Sequence, residues 1–345
     1  LFGEDNCYRT NRLFCLTIYF MKYVMPVLLL LAGCTANENN LPETADDKQS
    51  GVVLPAGYEP FAKDTLSVLS WNVEHFVDGN DNPYINASRE DDPDSLMGNR
   101  EQLLTKALQK ADADIVVLQE FENVAYLNHL ADSLLPEMNY RFFADAESYN
   151  WYMNVVVMSR VPLGTVYSYG AVHTPVLDYV NENGEVETQN YINTRMWSAD
   201  VFVNNSYDFV LTGLHLKAGR GERNEGMRLG QIKFLKGQFN RFLNENPATN
   251  LLVVGDLNST PDSREIQTLL EGENGAAFVD PLAGTSTYSH PSDSPFWRID
   301  HILPNKNMAE ELVPESVQVK QLLPEEEQQK VSDHLPLMAK FIVNE

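Results

Sequence analysis

Apolar segments alternate with helical patterns along the chain from about residue 65 onward, and strands are predicted to outnumber helices. Short apolar runs bounded by polar or turn residues predict strands. The predicted strands are 65–73, 114–120, 140–144, 152–159, 196–203, 207–216, 250–256, 298–303 and 336–343. Apolar residues at spacings of three and four predict helices at 99–111, 124–135, 224–245 and 263–272. The polar residues 80–98 predict a long loop near the exit of the first strand.

The N-terminal segment has the pattern of an export signal. We expect translation to start at Met21, in "MKYVMPVLLLLAGC", where Lys22 precedes an apolar stretch and small residues precede Cys34. The ending "LAGC" resembles a bacterial lipoprotein signal, which implies cleavage before Cys34 and lipid attachment to it. The alternative is a transmembrane anchor formed by residues 13–33. Residues 35–61 are predicted to be a flexible polar tether, and residues 62–345 a folded domain.

Cysteine content and charge exclude several classes of function. All three cysteines, Cys7, Cys15 and Cys34, precede the predicted domain, so catalytic cysteine and thiolate-metal chemistry are excluded there. Residues 62–345 carry 42 Asp and Glu against 21 Lys and Arg, a formal charge of −21. Such a surface repels a long polyanion, so tight non-specific binding of nucleic acid is not expected.

Polar side chains recur where predicted strands end. "LLVVGDLN" ends in Asp256 and Asn258, and residues two apart on a strand share one face. Taken alone, this pair is equally consistent with a helix cap and a turn. Similar endings occur on five further strands or loops, and their polar residues are Asn72 and Glu74, Glu120, His215 and Lys217, Asp300, and Asp333 and His334.

The repeated endings fit the hydrolysis of a phosphate ester. Carboxylates such as Glu120 and Asp333 are hard ligands that suit Mg²⁺. An aspartate can activate water, while amides and histidines can contact the phosphoryl oxygens, where charge accumulates. A His–Asp pair holds the imidazole in one tautomer.

The ordered motifs "WNVE", "DIVVLQE", "TGLHLKAGRGERNEGMRLGQ", "GDLNSTPDS", "RIDHIL" and "SDH" resemble those of the endonuclease/exonuclease/phosphatase superfamily. This superfamily includes DNase I, the AP endonucleases, sphingomyelinases and inositol-polyphosphate 5-phosphatases. The resemblance covers about residues 64–345. It implies a DNase I-like α/β fold, a four-layer sandwich in which two mixed β-sheets lie face to face and helices flank them.

The resemblance also implies a metal centre. Glu120 takes the position of the principal metal ligand, with Asn72 beside it. Glu74 is a further ligand candidate, and Asp333 is expected close to the metal. The implied cofactor is Mg²⁺, with Mn²⁺ as a substitute.

The implied catalytic residues lie on the later motifs. Asp256 is expected to position and activate water, Asn258 to hold the phosphate, and Asp300 to orient His334. His215 takes a strand position where AP endonucleases carry a tyrosine-containing motif, which argues against abasic-site cleavage. On its own, His215 is also consistent with a core histidine.

Basic residues suggest how a substrate is held. Residues 217–241 contain seven Lys and Arg and two acids, although a solvated helix face would look the same. The "HLKA" motif, followed by Arg228 and Gln231, resembles secreted nucleases and deadenylases. The candidate substrate-binding residues are Arg195, Lys217, Arg220 and Arg223. Four histidines match no motif and are expected to be structural or exposed: His75, His129, His173 and His290. His301, next to Asp300 on a strand, is expected to face the opposite side and is assigned no role. Trp71 and Phe121 are expected to pack.

These observations predict an exported, lipid-anchored, Mg²⁺-dependent phosphodiesterase of nuclease type. Its expected substrate is nucleic acid or an oligonucleotide. We expect it to act as a monomer that meets a bacterial membrane only through its anchor. Two alternatives stay open at this point. One is a phosphoesterase of the inositol-polyphosphate or sphingomyelin type, and the other is a surface-binding lipoprotein without catalysis.

Overall fold

Every predicted strand and helix forms, with shifted boundaries. The computed structural model describes residues 52–78, 93–146, 153–189 and 195–343. The strands are β1 (Thr65–Phe76), β2 (Ile115–Phe121), β3 (Phe142–Asp145), β4 (Asn154–Ser159), β5 (Leu163–Ser168), β6 (Thr174–Val180), β7 (Val186–Gln189), β8 (Arg195–Phe202), β9 (Asp208–His215), β10 (Leu251–Asp256), β11 (Asp300–Pro304), β12 (Gln318–Val319) and β13 (Leu337–Ile342). The helices are α1 (Pro93–Ala111), α2 (Val124–Leu134), α3 (Glu222–Glu245), α4 (Arg264–Leu270), α5 (Lys306–Ala309) and α6 (Glu325–Val331).

Two mixed sheets contain most of the strands. The first has the order β12-β13-β1-β2-β4-β3, and the second has the order β11-β10-β9-β8-β5. Within the first sheet β1 and β2 are parallel, whereas β13 and β4 run antiparallel to them. The second sheet repeats this arrangement, because β9 and β10 are parallel and β8 and β11 are antiparallel to them.

Alternation of buried residues along the strands produces four layers. On β1, Leu66 and Val68 lie in the core between the sheets, whereas Leu69 and Trp71 face the core under α1 and α2. The strand β10 behaves in the same way, with alternate residues in the inter-sheet core and in the core under α3 and α4. Successive side chains of a strand point to opposite faces, so strands apolar throughout are covered on both sides. The predicted four-layer α/β sandwich is confirmed.

A two-stranded sheet of β6 and β7 packs on α3, and the sequence analysis did not predict it. The helix approaches β6 closely at two glycines. A Cβ atom on Gly226 would collide with the carbonyl oxygen of Leu177, and one on Gly230 with that of Pro175.

The prediction of a polar loop at 80–98 is wrong for its last six residues, 93–98, because α1 begins at Pro93. Proline is favoured in the first turn of a helix, where its missing N–H costs nothing. The remainder of that loop, most of the predicted tether, and Cys34 with its signal segment lie outside the described residues. Among the residues that are described, no helix is both long and apolar enough to cross a membrane.

Candidate active site

The parallel strand pairs of the two sheets end at one place and bring four polar residues together. In the first sheet Asn72 pairs with Gln119, which puts Glu120 at the next position of β2. In the second sheet Asp256 lies opposite His215. Asn72 Nδ2 donates hydrogen bonds to Glu120 Oε1 at 3.2 Å and to Asp256 Oδ2 at 3.0 Å, so one amide joins the two sheets.

Unusual backbone conformations accompany this junction. Glu74, His75, Glu120 and Asn258 all have positive φ angles, between 48° and 57°. Residues with a Cβ rarely occupy this left-handed region, and each such residue costs about 1–3 kcal/mol and persists only where its surroundings enforce it. Both β1 and β2 shift register at these positions. The shift turns Glu120 toward the cavity that it helps to line.

Glu120 has the character of a ligand for a hard cation. Its carboxylate lines the cavity, and Oε2 accepts a hydrogen bond from the backbone N–H of His75 at 3.1 Å. Carboxylate oxygens suit Mg²⁺ or Mn²⁺, so this residue fits the predicted metal. The side-chain oxygen of Asn72 accepts one hydrogen bond, from the N–H of Glu74 at 3.0 Å, and its second lone pair could still bind a cation. Its predicted metal role stays a prediction, as does that of Glu74.

Asp256 is buried and surrounded by groups that control its proton. Its Oδ1 accepts from the N–H of Asn258 at 2.8 Å. Burial, reinforced by the negative charge of Asp300, raises the pKa of Asp256 to about 7. Such a carboxyl group exchanges its proton near neutral pH, which suits a general base.

His334 forms the predicted pair with Asp300. The distance from His334 Nδ1 to Asp300 Oδ2 is 2.8 Å, and Ser289 Oγ donates to the same oxygen at 2.6 Å. Burial alone would lower the pKa of His334, but the charge and hydrogen bond of Asp300 dominate and raise it to about 10. The imidazole is therefore positively charged at neutral pH. Its Nε2 lies 3.9 Å from Asp256 Oδ2.

His215 is buried between the two carboxylates rather than in the apolar core. Its Nε2 lies 3.6 Å from Asp256 Oδ2 and 3.8 Å from Glu120 Oε1. Burial, followed by the positive charge of Arg195, lowers the pKa of His215 well below its usual value. The site thus contains one neutral and one charged imidazole, which can serve different roles.

Asn258 and Asp333 complete the predicted set. Asn258 lines the cavity, and its Nδ2 donates to the carbonyl oxygen of Leu216 at 3.1 Å. The backbone N–H of Asp333 donates to Glu74 Oε2 at 2.9 Å, which joins two of the candidate ligands.

The cavity of about 530 Å³ above these groups contains residues that the sequence analysis did not assign to it. His290 and Trp297 both line it, and their rings stack with an interplanar angle of 1°. The prediction that His290 is merely structural or exposed is therefore wrong. His75 also belongs to the site, since its Nε2 lies 3.5 Å from Glu120 Oε2. Two hydrogen bonds between the backbones of His290 and Trp297 close a turn in a segment before β11 that no short motif marks.

Other expectations for single residues hold. Trp71 and Phe121 are buried, and Trp71 Nε1 donates to the carbonyl oxygen of His334 at 2.9 Å. His301 points away from the site, where its Nε2 lies 2.9 Å from the carbonyl oxygen of Ser259. His129 is exposed on α2.

The basic residues of 217–241 do not form one continuous strip. Arg228 is buried and pairs with Glu265, while its Nη1 donates to the carbonyl oxygens of Lys217 and Gly219. Arg223 pairs with Glu187 and is absent from the cavity wall. Arg220 lines the cavity and lies 4.1 Å above the ring of Trp297.

The two remaining candidates lie close to His215. Arg195 is buried at the start of β8, opposite His215. Lys217 follows β9, and its Nζ donates to the carbonyl oxygen of Ala218 at 2.9 Å. Burial, together with the charge of Arg195, lowers the pKa of Lys217.

Solved structures share this fold. The crystal structure of humanized D. rerio TDP2 is 17% identical with a TM-score of 0.53, over 81% of this chain and 99% of that one. The human Nocturnin catalytic domain with bound sulfate is 16% identical with a TM-score of 0.53, over 82% and 96%. An endonuclease/exonuclease/phosphatase from Bacteroides vulgatus is 16% identical with a TM-score of 0.52, over 82% and 100%.

Sequence comparison identifies the family. No curated protein matches this chain significantly. The model of the Endonuclease/Exonuclease/phosphatase family matches residues 69–334, from the strand that carries Asn72 to His334 itself. This match spans most of the chain and includes the whole set of strand ends described above. The chain therefore belongs to the endonuclease/exonuclease/phosphatase family.

Proposed function

We propose that this protein is a divalent-cation-dependent phosphodiesterase of nuclease type, which cleaves a P–O bond by in-line attack of water. The observation that carries the proposal is that one cavity contains both a group that can accept a proton and a group that keeps one. Asp256 can accept a proton near neutral pH, and 3.9 Å away His334 keeps its proton. Groups whose surroundings separate their pKa values in this way are typical of acid–base sites.

The reaction follows from these positions. Asp256 accepts a proton from the attacking water as the water oxygen bonds to phosphorus, the bond to the leaving oxygen breaks, and the leaving alkoxide takes up a proton from solvent water to depart as an alcohol. His334, held by Asp300, donates hydrogen bonds to the phosphoryl oxygens, where negative charge accumulates. Asn258 holds the phosphate group beside them. Glu120 would hold Mg²⁺, with Mn²⁺ as a substitute, and the cation would supply charge neutralisation to the phosphoryl group.

Nucleic acid or an oligonucleotide is the proposed substrate. Arg220 lines the cavity, and Lys217 follows His215 by two residues; we propose that both contact phosphates of the substrate. Because the surrounding surface is strongly acidic, contact with a few phosphates is favoured over a long footprint. One related D. rerio TDP2 structure is complexed with single strand DNA product.

A panel of phosphoesters tests this function. Purified protein is assayed with Mg²⁺ or Mn²⁺ on single-stranded DNA, RNA, a chromogenic diester, an inositol polyphosphate and sphingomyelin. Asp256→Asn should lower kcat by at least about 10²-fold, the scale of a positioned proton-transfer group. Asp262→Asn, the same change at an exposed carboxylate of the next loop, is the control.

The panel also separates the alternatives. Hydrolysis of the inositol phosphate or the lipid in preference to DNA and RNA would replace the nuclease proposal. Absence of turnover on every compound would support a binding protein without catalysis.

We also propose that the protein is exported and attached to a bacterial membrane through a lipid on Cys34. The sequence "LAGC" supports the proposal. Cys34→Ser should move the protein from the membrane fraction to the soluble fraction. Retention of this variant in the membrane would indicate a transmembrane anchor instead.

A further inference from the structure

Three residues with metal-binding side chains converge at the exposed side of the cavity. One ligand atom from each of His290, Asp333 and His334 lies within 4.8 Å of the others. Asp333 Oδ2 is 3.4 Å from His290 Nε2, and Asp333 Oδ1 is 3.7 Å from His334 Nε2. The carboxylate thus lies between two imidazole nitrogens.

Each of these separations is close to the edge of a zinc coordination tetrahedron, although the two are made by different oxygens of Asp333, so binding of one ion also requires rotation of this half-exposed carboxylate. Zinc binds histidine nitrogen and carboxylate oxygen at about 2.0–2.2 Å, so two of its ligand atoms lie about 3.3 Å apart. The distances of 3.4 and 3.7 Å therefore need adjustments of only a few tenths of an ångström. Asp333 is 47% exposed, so a cation can enter from solvent and keep a water ligand.

Neighbouring groups hold both imidazoles in place. His334 uses Nδ1 for Asp300, which leaves Nε2 as its available ligand atom. A histidine that binds a metal characteristically shows this contact of the other ring nitrogen with a carboxylate. The ring of His290 lies parallel to that of Trp297, with centroids 5.9 Å apart. The ligand atoms are therefore oriented before any ion arrives.

We infer that His290, Asp333 and His334 form a binding site for a borderline transition-metal ion, namely Zn²⁺, at a position separate from Glu120, with Asp333 as the one residue that it shares with the candidate ligands of the hard cation. The donor set determines this preference. Two imidazole nitrogens and one carboxylate suit Zn²⁺, whereas Mg²⁺ requires oxygen ligands in octahedral geometry.

The site has a consequence for catalysis that rests on the proposed function. His334 Nε2 is the atom proposed to donate to the phosphoryl oxygens. An ion bound to this atom replaces its proton and removes the donor. Zn²⁺ therefore inhibits turnover that Mg²⁺ supports, and the inhibition requires His290, a residue outside the proposed reaction steps.

Direct metal titration tests the site without reference to activity. Metal-free protein is titrated with Zn²⁺ against a chromogenic chelator in the presence of excess Mg²⁺. The wild type should bind one Zn²⁺ at this site, and His290→Ala should weaken that binding at least about tenfold, the lower limit seen even for residues that only support ligands. His290→Gln is a second variant of similar size. His129→Ala, at an exposed histidine on α2, is the matched control and should bind like the wild type.

Two results would overturn the inference. One is the absence of Zn²⁺ binding in the wild type, and the other is equal affinity in the wild type and both folded His290 variants. Failure of the proposed function would give a different experimental result. If Zn²⁺ binds in a His290-dependent manner but no phosphoester is hydrolysed, the metal site stands and the phosphodiesterase proposal fails.

Discussion

Replacing Asp300 with asparagine should move the pH optimum of the enzyme downward. Asp300 is the main cause of the raised pKa of His334, through its charge and its hydrogen bond of 2.8 Å. Without that charge the pKa of His334 should fall, because burial is then opposed only by the smaller effects of the Asp256 and Asp333 charges. The imidazole is almost fully charged at about pH 8 in the wild type, whose His334 has a pKa of about 10, and the variant should lose part of that charge.

Asp300→Asn should therefore lower kcat/KM by about tenfold for each unit by which the pH exceeds the new pKa of His334, and the loss should shrink as the pH falls. The charge of Asp300 also helps to raise the pKa of Asp256, so the acidic side of the profile should move in the same direction. The assay is kcat/KM for a chromogenic phosphodiester across the range of about pH 5–10. Ser289→Ala removes a hydrogen bond to Asp300 but no charge, so the pH at which kcat/KM falls on the basic side of the profile should stay unchanged. An equal loss by Asp300→Asn at every pH would refute the electrostatic reasoning.

Three further predictions concern the metal, the substrate and the fold. Activity should vanish in EDTA and return with Mg²⁺ or Mn²⁺, and full turnover in the chelator would exclude the proposed role of Glu120. Arg220→Ala should raise KM for an oligonucleotide with little change in kcat on a small diester, whereas Arg223→Ala should change neither, because Arg223 pairs with Glu187. Gly230→Ala should lower the free energy of unfolding by about 1–3 kcal/mol through its collision with Pro175. A Cβ on Gly237 of the same helix would have no atom within 4 Å, so Gly237→Ala should be neutral or stabilising. Thermal unfolding of both variants and the wild type measures the difference.

The strands of the sandwich and most of the site could be predicted because two local signals coincide in them. Buried strands such as β10 are apolar on both faces and end in short polar motifs, so one sequence segment shows both the element and its chemistry. By contrast, β5 and β7 are largely exposed and lack a continuous apolar run. Their strand structure depends on pairing with β8 and β6, which a local pattern does not reveal.

His290 illustrates the part of the site that local patterns miss. Its place in the cavity depends on backbone pairing with Trp297 and on contact with His334, which lies 44 positions later in the sequence. The same limit applies to the basic residues 217–241. Their charges look equivalent in the sequence, but Arg228 forms a buried ion pair with Glu265, whereas Arg220 lines the cavity. Long-range partners decide these roles.

The two ends of the domain meet at the active site. Ser332 Oγ donates to the carbonyl oxygen of Asn72 at 2.6 Å across 260 positions, and β13 pairs with β1 along its length. His334 lies just before β13, so it reaches Asp256 only when this late segment has docked. A nascent chain therefore has Asn72, Glu120, His215 and Asp256 long before it has its charged imidazole. Catalytic competence should therefore appear only after the segment that contains His334 and β13 has been synthesised and has docked on β1, and a chain that lacks this segment should be inert.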